Sequence, residues 1–158
     1  MKEILNRLNE YQTLSKPEAK TVLLNISKGS YNVSQIASFV TVYRMRGITI
    51  DELAGFRDAL NEMSIHVDVK EFNTIDLCGT GGDSKNTFNI STLASLVVAG
   101  AGEKVTKHGN YGVSSACGSS NVIEYFGYTF TNKENILRTQ LDKAGICFFH
   151  APLFHSRP

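Results

Sequence analysis

The sequence predicts a small N-terminal helical domain followed by the start of a mainly parallel α/β domain, and three observations carry that expectation. Over the first 65 residues, apolar positions recur at intervals of three and four between capping signals. From about residue 73 the texture turns to short β-prone runs, and each run leads through a loop rich in Gly, Ser and Asn into a helical pattern.

Four short amphipathic helices are expected in the first part. A polar N-cap residue with Glu or Gln three positions on marks three starts, at Ser15/Glu18, Asn32/Gln35 and Thr49/Glu52, and Gly29 and Gly47 supply stops. The apolar stripes are Ile4, Leu5, Leu8; Ala19, Val22, Leu23, Ile26; Ile36, Phe39, Val40, Tyr43; and Leu53, Phe56, Leu60, Met63. Residues 66–73 read as a linker, which bounds a helical domain at 1–65 and an incomplete α/β domain at 74–158.

In the second part residues 74–78 form the first strand and 93–101 its helix, and 104–106 form the second strand. The loop "KHGNYGVSSACGSSN" leads from there to a helix over 122–126, stopped by Gly127. Thr131 with Glu134 caps a helix carrying Ile136, Leu137 and Leu141, Gly145 ends it, and "ICFFH" is a further strand. A parallel sheet wants helices on both faces, and with so few short strands this one reads as unfinished.

The composition narrows the partners. With 158 residues, 42% of them hydrophobic and 20% charged, the chain has material for one globular core and a small satellite. A net charge of +1, with both signs spread along the chain, offers no basic field for a nucleic-acid backbone, so a small-molecule partner is expected. Neither a charged-then-apolar leader nor an apolar run of about eighteen residues stands out, which speaks against secretion and membrane spanning. Cys78, Cys117 and Cys147 lie far apart with no C-x-x-C spacing and read as reduced core thiols in a cytoplasmic protein.

The chemistry concentrates in two loops. In "DLCGTGGDSKNTFNIST" a strand, then glycines, then a helix start make an anion site: glycine lets backbone N–H groups approach, and the first helical turn leaves N–H groups unsatisfied. The stretch is neither a P-loop nor a dinucleotide fingerprint, since both patterns fail at Ser84. Asp83 beside a phosphate nest calls for a metal ion or sugar hydroxyls, with Asn89, Ser91 and Thr92 as further oxygen donors. The second loop repeats the theme, with Lys107 as a point charge, Gly109 and Gly112 for close approach, and Ser114, Ser115, Ser119 and Ser120 before a helix. Two anion cradles at neighbouring strand ends imply a ligand with two phosphate groups. Cys117 near His108 lacks a third orienting residue for nucleophilic work, and His150 with His155 does not read as a metal pair.

Three blocks, "GTGGD", "NISTLAS" and "KHGN" with "CGSSNVIE", stand in the order and spacing of the anthranilate phosphoribosyltransferase family, and the resemblance runs from the N-terminal helices to "FFHAPLFH". It implies a fold like that of the nucleoside phosphorylases and phosphoribosyltransferases. The implied activity is transfer of phosphoribosyl from phosphoribosyl pyrophosphate (PRPP) to the amine of anthranilate, releasing pyrophosphate, in tryptophan biosynthesis. The resemblance also implies Mg²⁺ as cofactor, a homodimer and no side chain acting as a catalytic group. Carried over by match, Gly79, Gly82, Asp83, Thr87, Asn89, Ile90, Ser91 and Thr92 would bind PRPP, with Ser91 also a Mg²⁺ ligand. Lys107, His108, Gly109, Asn110, Tyr111, Gly112, Val113, Ser114, Ser115 and Ser119 would complete the PRPP cradle. Gly79, Asn110 and His108 would shape the anthranilate pocket. The dimer-forming face would include Ile36, Phe39, Val40 and Tyr43.

The sequence departs from the family pattern at Tyr111, usually Arg, and at Asn121, usually Asp. It also stops at "LFHSRP", before the family's arginine for anthranilate and its later acidic pair for magnesium, so the chain reads as an N-terminal piece, inactive alone. A pyrimidine nucleoside phosphorylase of the same fold is the enzyme alternative. A fragment that only dimerises or binds anions is the non-enzymatic one.

Overall fold

Local capping chemistry sets the helices of the first part of the chain in this computed structural model, which describes residues 1–79, 81, 87–112 and 116–155. Helix α1 spans Lys2–Asn9, α2 Lys16–Ser27, α3 Val33–Met45 and α4 Ile50–Met63. All three expected capping boxes form. In the second of them the Gln35 N–H donates to Asn32 Oδ1 at 2.9 Å and the Asn32 N–H donates back to Gln35 Oε1 at 3.2 Å.

The two glycine stops behave differently. Gly29 follows α2 with φ +68, a left-handed conformation that glycine adopts without strain. Gly47 has no such role: α3 ends because Arg46 turns extended at φ −127, and its guanidinium reaches Glu52 with contacts of 2.6 and 3.0 Å.

Chain division by packing gives two compact units, one from Met1 to Ser64 and one from Ile65 to His155. In the first, Leu8, Leu14, Ala19, Val22 and Phe39 form the buried cluster, with Ile26, Tyr31, Val42, Tyr43 and Phe56 packed on it. Gly55 permits the close approach of α4 to α2, since a Cβ there would overlap the Lys16 carbonyl. Phe39 does not belong to an exposed face. It is 4% exposed and meets Tyr43 and Phe56 edge-on, while Val40 on the same helix is 51% exposed.

The second unit holds a two-stranded parallel sheet, β1 at Val105–Gly109 and β2 at Ile146–His150, in register from Val105 opposite Ile146 to Gly109 opposite His150. Helix α5, Ile90–Gly100, precedes β1; α6, Ser119–Tyr125, and α7, Glu134–Ala144, follow it; α8, Ala151–Phe154, follows β2. Leu137, Leu141, Cys147, Phe149 and Phe154 are its core. A 3₁₀ turn at Lys70–Phe72 lies in the stretch read as a linker, and Val67, Val69 and Phe72 pack on that core. The Lys104 ammonium donates to the Leu141 and Asp142 carbonyls at the end of α7, where the helix dipole favours a cation.

Several sequence expectations shift here. The strand over 74–78 reduces to a single parallel bridge, Ile75 with Val105. Its ladder ends because the Asp76 side chain, not a main-chain carbonyl, accepts the next N–H, from His108, at 3.2 Å. The second strand starts at Val105 and runs on to Gly109, beyond the expected end at 106; α5 begins at Ile90 rather than 93, and α6 begins at Ser119 rather than 122. Thr131 does not cap α7. Its hydroxyl accepts from the Lys133 N–H at 3.1 Å, and Lys133 is the N-cap. Of the three cysteines only Cys147 is a core thiol, its pKa pushed up to about 12 by burial; Cys78 and Cys117 are exposed.

Candidate functional site

The strand tips and the two helix starts that follow them build one polar region. Asn89 is the N-cap of α5, yet its side chain makes no capping bond; Nδ2 donates instead to the Cys117 carbonyl, one residue before the N-cap of α6, at 3.4 Å. The two glycine-rich loops therefore meet at their helix ends. The first turn of α5 has no side-chain cap; its Ile90 and Thr92 N–H groups donate to the Phe88 and Asn89 carbonyls at 2.8 and 3.1 Å, and the partial positive charge of a helix N-terminus favours an anion there. The Thr92 hydroxyl in this turn is buried with no hydrogen-bond partner among the described residues.

Glycine is required at the tightest approaches. A Cβ on Gly79 would come within 2.9 Å of Ser91 Oγ, and one on Gly109 would overlap Ser119 Oγ. The Asn110 carbonyl accepts from the Ser120 N–H at 3.1 Å and from Ser119 Oγ at 3.4 Å, which closes the second loop over α6.

Asn121 holds that loop in shape. Its Oδ1 accepts from the Gly112 N–H at 3.1 Å and from the Gly118 N–H at 2.9 Å. Both bonds need only an acceptor, so an amide serves where the resembling family usually has a carboxylate. Tyr111, at the other departure, donates from its hydroxyl to Glu124 Oε1 at 2.7 Å and lies edge-on to His150. His150 is buried, stacks on Phe130 and meets Ser120 Oγ through Nδ1 at 2.8 Å; burial lowers its pKa, against the pull of Glu124.

Lys107 differs from its expected role as an open point charge. It is 2% exposed, Nζ donates to the His108 carbonyl at 2.7 Å, and it lines a small cavity with Gly109, Ser119, Phe130 and Phe149. Burial lowers its pKa, while Cys78 and Asp76 act in the opposite sense. His108 stacks on Phe149 and pairs through Nδ1 with Asp76 Oδ2 at 2.8 Å.

Of the residues singled out from the sequence, the structure gathers Gly79 with Ser91, Asn89 with the Cys117–Gly118 turn, and Lys107, Gly109 and Asn110 with Ser119, while His108 meets Asp76, Tyr111 meets Glu124 and Gly112 meets Asn121. Thr87 and Ile90 are exposed at the entrance to α5. Gly82, Asp83, Val113, Ser114 and Ser115 lie outside the described residues. Asp76 carries no role in the sequence analysis, although an acid at the end of a β-prone run, with a histidine at the end of the next, is the signal that finds it.

Among the described residues no group of three His, Cys, Asp or Glu side chains gathers to hold a metal ion, so they do not make a dedicated magnesium site around Ser91. No helix among them is long and apolar enough to cross a membrane.

Comparison with known proteins gives the family. Residues 71–157 match the glycosyl transferase family, a/b domain. The chain belongs to that family. Residues 2–64 match the helical bundle domain of the same family. The chain is 68% identical over 155 residues to the anthranilate phosphoribosyltransferase of Flavobacterium psychrophilum, which covers 98% of this chain and 47% of the relative. It is 64% identical to that of Flavobacterium johnsoniae with the same coverage. Among solved structures, anthranilate phosphoribosyltransferase from Thermus thermophilus superposes with a TM-score of 0.81 at 30% identity, over 96% of this chain and 46% of that one. The anthranilate phosphoribosyltransferase from Saccharomyces cerevisiae, solved in complex with PRPP and Mg, matches with a TM-score of 0.81 at 28% identity, over the same shares of the two chains. The chain spans about half the length of the curated relatives it matches.

Proposed function

We propose that this glycosyl transferase family chain supplies the PRPP-binding part of an anthranilate phosphoribosyltransferase, transferring phosphoribosyl from PRPP to anthranilate and releasing pyrophosphate in tryptophan biosynthesis. The observation that carries the proposal is the Asn89–Cys117 hydrogen bond, which draws the starts of α5 and α6 together so that one ligand with two phosphate groups can span both. Identity of 68% to an enzyme of that name supports the same reading.

In this transfer, negative charge grows on the departing pyrophosphate while the anomeric carbon gains oxocarbenium character. The second loop is held in shape by Asn121 and by the Asn110 carbonyl, which take up the Gly112, Gly118 and Ser120 N–H groups, so the loop bordering the growing charge has no need to reorganise. Gly79, Gly82, Asp83, Thr87, Asn89, Ile90, Ser91 and Thr92 form the first cradle, and Lys107 to Ser115 with Ser119 the second. Gly79, Asn110 and His108 border the anthranilate side, where the amine needs mainly positioning.

Mg²⁺ belongs to the proposal as a companion of the pyrophosphate, with Ser91 as its one assigned protein ligand. The described residues supply no carboxylate cluster for it, and the work assigned to them is binding and orientation. The protein is cytoplasmic and homodimeric in this reading, with the exposed part of α3 around Val40 in the subunit contact.

Isothermal titration with PRPP, anthranilate and a pyrimidine nucleoside, with and without Mg²⁺, tests it. PRPP binding supports the proposal, whereas binding of nucleoside and phosphate with no response to PRPP points to a nucleoside phosphorylase.

A further inference from the structure

Asp76 has no assigned work in ligand binding, yet at the strand tips it makes two contacts to a single residue, His108. Asp76 Oδ2 lies 2.8 Å from His108 Nδ1, and Asp76 Oδ1 accepts the main-chain N–H of the same histidine at 3.2 Å. One carboxylate thus fixes both the ring and the backbone of His108. Phe149 stacks on the ring with centroids 5.0 Å apart and an interplanar angle of 18°, which limits its rotation. The His108 side chain is nevertheless 52% exposed.

A carboxylate only accepts, so the proton shared with Asp76 belongs to Nδ1, and a neutral imidazole then has its lone pair on Nε2. The partial positive charge of the α5 start and the Lys107 ammonium, whose Nζ donates to the His108 carbonyl, favour an anion at this end of the unit. A lone pair has nothing to offer a phosphate oxygen, which is itself an acceptor. It suits an N–H or O–H.

We propose that Asp76 is a positioning residue that holds His108 in its Nδ1–H tautomer, so that Nε2 accepts a hydrogen bond from an N–H or O–H of the bound ligand. This rests on the proposed function, in which two ligands carry such donors: the amine of anthranilate and the ribose hydroxyls of PRPP.

The test is long-range ¹H–¹⁵N correlation on the full chain with ¹⁵N-labelled histidine, at a pH where the ring is neutral, with His108 assigned by loss of its signals in His108→Gln. The expected spectrum shows a protonated Nδ1 and an unprotonated Nε2 in the free wild-type protein, and in Asp76→Ala a loss of that preference towards Nε2–H. A wild-type His108 with its proton on Nε2 overturns the positioning role whatever the variant does. Anthranilate and PRPP are then added separately, and the one that shifts the Nε2 resonance is the donor. If neither moves it, the ligand assignment is overturned. Calorimetric PRPP binding is measured on the same sample, so failure of the proposed function itself is read independently.

Discussion

The helical unit and the strand-tip region use the same device, an acidic or amide side chain accepting backbone N–H groups, towards opposite ends. In the helical unit Glu52 is fully buried and saturated: it accepts from the Leu14 and Thr49 N–H groups, the Thr49 and Tyr43 hydroxyls and both ends of the Arg46 guanidinium. At the strand tips Asp76 and Asn121 each accept two bonds and remain beside solvent, and between them they take up the His108, Gly112 and Gly118 N–H groups that shape the loops. The comparison teaches that a closed, buried network fixes a fold, whereas a small exposed one fixes the course of a loop.

The largest effect expected is from breaking the closed network. Arg46→Met leaves the Glu52 carboxylate buried without its cation and should cost about 3–5 kcal/mol, read as a lower urea midpoint. Glu52 also sets an acid limit. Burial pushes its carboxyl up, but Arg46 and the N–H donors of Leu14 and Thr49 outweigh that and hold it at about 2, below the ordinary value of 4.5. A depressed pKa gives stability that is present above the unfolded value and lost as pH falls from about 4.5 towards about 2, here roughly 3 kcal/mol. Urea midpoints of wild type should fall across that window, and those of Arg46→Met should fall less.

A smaller loss is expected at the open network. Asn121→Ala removes the acceptor from the Gly112 and Gly118 N–H groups and should cost about 1–2 kcal/mol in stability, while Asn121→Asp, which keeps an acceptor, should stay near wild type. If the two variants behave alike, the clamp is not what shapes the loop. The smallest effect is a single cap: Asn32→Ala should cost about 1 kcal/mol by the same assay.

Features set by neighbours in sequence are legible in it. The boxes at Ser15/Glu18, Asn32/Gln35 and Thr49/Glu52 form because both partners lie three residues apart, and Gly145 ends α7 in a left-handed cap at φ 73. The glycines that allow close backbone approach, at Gly79 and Gly109, are likewise visible in the sequence. Features set at long range are not. Asp76 and His108 are 32 residues apart, so neither the shortened strand nor the oriented ring shows in local pattern. Arg46 replaces Gly47 as the stop because its partner, Glu52, belongs to the next helix. Lys107 reads as a loop charge in the sequence because strand burial sets its surroundings, and periodicity over so short a run does not report it.

The shared cradle at the starts of α5 and α6 is tested most directly by ³¹P spectra of PRPP titrated with this chain in the presence of Mg²⁺. Joint shifts or broadening of the 5′-phosphate and pyrophosphate resonances, reduced together in Gly109→Val, are the predicted result. A response confined to one phosphate group, or one unchanged in Gly109→Val, would contradict a single ligand held across both helix ends.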